Sequence, residues 1–166
     1  VDEGIALRKK GIRTPIMVLN PDGSQFKQLI EHGLEPEIYS FRQLVTLSQE
    51  LKKANIKSFP VHLKLDTGMR RLGFESSQVD ELSKWLANHN EISVSSVFSH
   101  LASTSDTEFT TIQIDAFSSM CAELEKTIKT PFLKHILNSS GILKYPEAQF
   151  NMVRLGIGLY GIGDEN

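Results

Sequence analysis

Apolar and polar positions along the chain follow two rhythms in turn: short runs that alternate or stay apolar, and longer stretches with the three-to-four spacing of a helix. Val61 to Phe74 is the stretch the rest is arranged around. Val61, Leu63 and Leu65 alternate with His62, Lys64 and Asp66, and the alternation breaks at Thr67-Gly68, so a strand is expected to run into a loop there. Upstream, residues 1–10 read as the end of a helix stopped by Lys9-Lys10 and Gly11. Pro15 to Asn20 is an apolar run closed by Pro21-Asp22-Gly23, the pattern of a strand buried on both faces. Ser24 is expected to cap a short helix to His32, and Leu34 to Tyr39 to form a weaker strand.

Phe41 to Asn55 sets Leu44, Val45, Leu47, Leu51 and Ala54 at helical spacing. Ser76-Ser77 opens the next helix, with Val79, Leu82, Trp85 and Leu86 turned inward, and Ile92 to His100 reads as a strand. Phe109 to Lys129 is the longest expected helix, ended because Pro131 disfavours helix at the residue before it. Phe132 to Asn138 is a strand, Ser139-Ser140-Gly141 caps a short helix that Pro146 stops, and Met152 to Gly161 is the last strand. Strands alternating with helices imply an α/β architecture with parallel strands and right-handed crossovers. If these units belong to a (β/α)8 TIM-type barrel, it is a partial one of about six strands, because 166 residues fall short of the roughly 250 of a complete one.

Composition narrows the function. Eighteen basic against 20 acidic residues leave a net charge of −2, which indicates neither nucleic acid nor another polyelectrolyte as partner. The lone Cys121 excludes an internal disulfide and a multi-cysteine metal site, and fits a reducing cytoplasm. No apolar run approaches the roughly 20 residues of a membrane span. The chain is expected to be one domain, residues 1–166, and its start without Met inside a helix-like pattern suggests a piece of a longer protein.

In a barrel the loops after the strands build the active site, so the chemistry is expected at four strand ends: Lys64 to Arg71, His100, Asn138-Ser139, and Arg154 to Ile157. Each group has a plainer reading. A polar strand face is often a solvated edge, Ser139 is a good N-cap, and Arg154 in isolation reads as a surface ion pair.

The run His62-Leu63-Lys64-Leu65-Asp66-Thr67-Gly68-Met69-Arg70-Arg71-Leu72-Gly73 resembles the signature of the alanine racemase family, departing from it at Arg70, where a small residue is usual. Further blocks follow in the family's order: Phe98-Ser99-His100-Leu101-Ala102, Leu137-Asn138-Ser139-Ser140, and Asn151-Met152-Val153-Arg154-Leu155-Gly156-Ile157 through Leu159-Tyr160-Gly161.

This resemblance implies an isomerase that interconverts L- and D-alanine with pyridoxal 5′-phosphate (PLP), serving peptidoglycan synthesis. It implies Arg154 at the pyridine nitrogen, His100 against the ring with Asn138 in the same layer, and Ser139 with the Gly156 and Ile157 amides around the phosphate. The catalytic pair would be Arg71, which contacts the phenolic oxygen and the substrate carboxylate, and Lys64, which supports it, in many relatives as a carbamate. Asp66 is an alternative partner for Arg71. His32, His62, His89 and His135 match no family position and read as ordinary surface or partly buried histidines.

The family's anchoring lysine, on the first barrel strand, has no match here, nor has the tyrosine base of its C-terminal β-domain. The chain therefore resembles the third to eighth barrel strands of a homodimeric parent, a stand-alone enzyme or a fusion to a cell-wall ligase. By itself it is expected to be inactive and to self-associate through open sheet edges. The alternatives are a non-catalytic PLP-binding barrel, which lacks these runs, and a related D-amino-acid lyase or decarboxylase. A decarboxylase normally has an acid where Arg154 stands.

Overall fold

The computed structural model describes residues 1–163. Five parallel strands lie side by side in chain order: β1 (Met17–Val18), β2 (Glu35–Ile38), β3 (Phe59–Lys64), β4 (Ile92–Phe98) and β5 (Leu133–His135). Helices alternate with them: α1 (Asp2–Lys9), α2 (Phe26–Glu31), α3 (Phe41–Lys53), α4 (Val79–Ala87), α5 (Thr107–Thr127) and α6 (Ser139–Lys144). Among the described residues no helix is long and apolar enough to cross a membrane.

Local chemistry accounts for the helices. Ser40 caps α3 by accepting from the Gln43 amide, and Leu44, Leu47 and Leu51 recur on one fully buried stripe. Asp106 caps α5, whose Phe117, Met120, Cys121 and Leu124 are buried. Two expected caps move. Asp22, not Ser24, opens the turn before α2, in a reciprocal pair with Gln25, and Asn138, not Ser139, caps α6. Trp85 is only partly buried and stacks flat on the His89 ring, 3.6 Å between centroids.

β3 is central rather than a solvated edge. Val61 and Leu63 enter the core shared with the helices, and His62 and Lys64 on the opposite face are buried as well. β4 carries one residue more than β3 between Val94, opposite Val61, and Ser96, opposite His62. This bulge-like slip resets the side-chain alternation, so Val94 and Val97 both reach the core while Ser96 joins the polar face.

Two expected strands shrink or vanish. Pro15 to Asn20 yields only the two-residue β1, with Leu19 exposed, because it is an edge paired to β2 alone. Met152 to Gly161 forms no strand, so the sheet has five strands rather than about six. The start of the segment is tied to β5 and the residues after it through two backbone bonds, Asn151 N–H to Lys134 O and Arg154 N–H to Leu137 O, and the chain then turns into a 3-10 helix, Ile157–Tyr160. Gly156, Gly158 and Gly161 lie in that turn, and Gly161 takes a left-handed φ of 75° that glycine adopts without cost.

Candidate functional site

The loop after β3 is closed by backbone geometry. Leu65 bridges Phe74, and Gly73, at φ 137°, is so tight that a Cβ there would lie 2.4 Å from the Asp66 nitrogen. Asp66 is consumed by this loop: its Oδ1 accepts from the Gly68 and Arg70 amides at 2.9 and 3.0 Å. It therefore does not pair with Arg71. Arg71 is exposed and makes no side-chain hydrogen bond or ion pair among the described residues.

The C-terminal ends of the strands surround a cavity of about 870 Å³, in the range of small-molecule sites. All eight residues singled out from the sequence line it: Lys64, Arg71, His100, Asn138, Ser139, Arg154, Gly156 and Ile157. Three of them are cationic side chains. Leu19, Phe98 and Leu155 supply apolar wall.

Lys64 has a partner that the sequence reading missed. Its ammonium lies 3.0 Å from Glu37 Oε1, and both side chains are almost wholly buried. The approach is off hydrogen-bond alignment and Oε1 has no other donor, so charge rather than a directed bond holds this pair. Glu37 Oε2 accepts from the Asn20 backbone amide, tying the end of β1 to the site. The only sign of Glu37 in the sequence is a pair of polar residues, Glu35 and Glu37, two apart in an otherwise weak strand.

Arg154 is held on several sides. Nη1 contacts His135 Nδ1 at 2.6 Å and His135 O at 3.3 Å; Nη2 donates to Ser99 O at 2.6 Å and Ile136 O at 3.1 Å, with His100 Nδ1 at 3.3 Å. Its plane lies over the Phe98 ring, 5.2 Å from the centroid. Burial lowers its pKa to about 10, against the pull of Glu37 in the other direction, so it remains a cation at neutral pH. None of these bonds leaves from Nε, so that N–H is the donor Arg154 still has to give.

The same crowding keeps two histidines neutral. Burial first, then the Arg154, Lys64 and Arg71 charges, push His100 down to about 4. Burial and Arg154 push His135, which is fully buried and stacked flat on Phe98, to about 3. His135 and the nearly as enclosed His62 are thus not the ordinary surface or partly buried histidines expected from their lack of a family match. Their signal was only the strand period, which sets His62 in line with Lys64.

Ser139 Oγ accepts from the backbone amides of Gly156 at 2.9 Å and Gly158 at 3.0 Å. Gly158 was not foreseen, and its reason to be glycine is contact: a Cβ there would sit 3.2 Å from Ser139 Cβ and Oγ. Asn138 Oδ1 is engaged by the Gly141 amide at 2.9 Å. Among the described residues no group of histidine, cysteine and carboxylate side chains could hold a metal ion.

Residues 1–164 match the alanine racemase N-terminal domain. The chain belongs to the alanine racemase family. It is 37% identical to the alanine racemase of Thermodesulfovibrio yellowstonii over 164 residues, 99% of this chain and 44% of that protein. The alanine racemase structure from D-cycloserine-producing Streptomyces lavendulae superposes with a TM-score of 0.91 at 28% identity, over 99% of this chain and 44% of that one. A Bartonella henselae alanine racemase with covalently bound pyridoxal phosphate gives a TM-score of 0.81 at 25% identity, covering 98% and 46%. The chain thus spans under half the length of these family members, and the α/β fold of parallel strands is the family's partial barrel.

Proposed function

We propose that residues 1–166 form the cofactor-binding portion of an enzyme that interconverts L- and D-alanine with PLP, in the cytoplasm and for cell-wall peptidoglycan. The observation that carries this reading is the convergence of eight residues from four distant segments on one cavity, with the half-buried Arg154 held in place among them by several hydrogen bonds. The cavity suits the group chemically. Ser139, whose Oγ accepts from the Gly156 and Gly158 amides and keeps its own proton to give, and the adjacent Ile157 amide offer donors to a phosphate, and the loop is built to let backbone approach closely. When bound, PLP supplies the electron-withdrawing ring that acidifies the amino acid's α-hydrogen.

Arg154 would give its remaining Nε–H to the ring nitrogen. Being only a donor, it would hold that nitrogen unprotonated and moderate the ring's electron demand, which favours proton return over transamination. Neutral His100 would face the ring without adding charge. Arg71, exposed and unpartnered, is available to the phenolic oxygen and to a substrate carboxylate, for which its fork is suited. Lys64 is balanced by Glu37, so its positive charge is already offset without a carbamate on its own nitrogen.

Among the described residues Lys64 is the only lysine that lines the cavity and it is engaged, so the covalent anchor and both proton-transferring bases are taken to lie outside these 166 residues in a homodimeric parent. The isolated chain is expected to show no racemase activity. With added PLP and borohydride, peptide mapping should find no stoichiometric adduct on any one lysine; finding one would sink this assignment. In the full-length protein, Arg154→Glu should shift the absorption of the bound cofactor, release pyruvate and cut racemisation by about 10²-fold or more. An unchanged spectrum without pyruvate would remove Arg154 from the ring.

A further inference from the structure

Five polar side chains join end to end beneath the cavity, and the site as described uses only the first. Arg154 Nη1 lies 2.6 Å from His135 Nδ1, and His135 Nε2 lies 2.9 Å from Ser96 Oγ. Ser96 Oγ lies 2.7 Å from His62 Nδ1, and His62 Nε2 lies 2.9 Å from Glu35 Oε2. The last four come one each from β5, β4, β3 and β2, so the line crosses the sheet at right angles to the strands. It depends on the extra residue in β4, which sets Ser96 opposite His62.

Donor capacity gives this line one direction. A guanidinium has no acceptor, so His135 Nδ1 must accept, and the neutral ring then carries its proton on Nε2. That N–H donates to Ser96, and with His62 a neutral ring whose one N–H faces Glu35, the Ser96 proton goes to His62 Nδ1. His62 Nε2–H then donates to the Glu35 carboxylate, which accepts only. Each bond uses one proton, with a cation at one end and an anion at the other. The reversed order would set a His135 Nδ1–H against an Arg154 N–H.

An apolar face would hold these strands together at lower desolvation cost than buried imidazoles and a buried hydroxyl. Coupled bonds in a low-dielectric interior also polarise one another in the common direction. We propose that Glu35, His62 and Ser96 are positioning residues for Arg154, acting through His135 as a directed hydrogen-bond chain across the sheet. The proposal rests on the reading of Arg154 as the group at the cofactor ring. Glu35 excludes the reversed chain, keeps the His135 lone pair facing Arg154, and so keeps the two Nη groups engaged and Nε–H free.

The test uses full-length protein labelled with ¹⁵N-histidine and free of cofactor, so its first result does not depend on where PLP sits. Imidazole ¹H–¹⁵N correlation near neutral pH should show His62 and His135 both as neutral rings with Nε2–H and bare Nδ1. A doubly protonated His62, or an Nδ1–H on either ring, would overturn the chain. Glu35→Gln keeps the shape but can donate as well as accept, so it should move the His62 nitrogen resonances toward a mixture of tautomers. In the loaded enzyme the same variant should lower kcat on the order of tenfold, the scale of one weakened hydrogen bond to a charged group, with the KM for alanine unchanged. Mixed tautomers with an unchanged kcat would leave the chain without a positioning role and refute the proposal. The placement of Arg154 at the ring is decided separately by Arg154→Glu.

Discussion

Between β2 and β5 the sheet buries Glu37, His62, Lys64, Ser96 and His135 on one face, whereas the segment just beyond Arg154 leaves Leu155, Ile157, Leu159, Tyr160 and Ile162 more than half exposed. The first region encloses charge and the second displays hydrocarbon, the reverse of ordinary preference. The difference is one of partners. Each buried polar group is met by a neighbouring strand or by the loop across the cavity: Lys64 by Glu37, His62 by Glu35 and Ser96, His135 by Arg154. The stretch leading into the apolar segment is tied to Lys134 and Leu137 by the Asn151 and Arg154 amides, whereas the Leu159 and Tyr160 side chains, 70% and 80% exposed, lie against nothing comparable. A polar interior persists where it is matched, and a displayed apolar run marks a surface that another surface can cover.

The comparison breaks most sharply if one half of a buried pair is removed. Lys64→Met should destabilise the protein by about 3–5 kcal/mol, because it strands the Glu37 carboxylate, which is 1% exposed. Adding Glu37→Leu should restore most of that loss, since no uncompensated charge remains. Urea unfolding of the two singles and the double closes the cycle, and additive losses would show that the two side chains do not depend on each other.

Acid probes the same region less abruptly. His135 titrates at about 6.5 unfolded and about 3 folded, so between those values the unfolded chain binds the proton and the native one does not. Stability should therefore fall as pH drops below about 6.5, with a slope approaching 1.4 kcal/mol per pH unit from this residue. His135→Gln should flatten the slope of the free energy of unfolding against pH over that range, and an unaltered slope would mean that His135 is protonated in the native state.

The apolar segment should respond least in stability and most in association. Leu159→Ser with Ile162→Ser should change the free energy of unfolding by under about 0.5 kcal/mol, since both residues are largely exposed. The parent chain of 166 residues is expected to associate with rising concentration in sedimentation velocity, and the double variant to do so less. A monodisperse wild-type chain would show that the displayed residues are not sticky enough to matter.

The order of elements was legible because apolar period decides which stretches bury a face, and β3, α3 and α4 carry strong periods, while α5 was marked by its length and the Pro131 stop. Met152 to Gly161 was misread for the same reason: its apolar content suits a strand, but a strand also needs a neighbour along its length, and here three glycines turn the chain away. Cavity-lining residues were recoverable as a set because polar groups at strand ends gather at one mouth of such a sheet. Their partners were not. That Lys64 meets Glu37, that Asp66 is spent on its own loop, and that Ser96 lies opposite His62 depend on strand register and on a one-residue slip in β4. A composition or period is a property of one segment, whereas a hydrogen bond or ion pair across strands belongs to two. Only the packing of the sheet, which sets register to within a residue, determines which two meet.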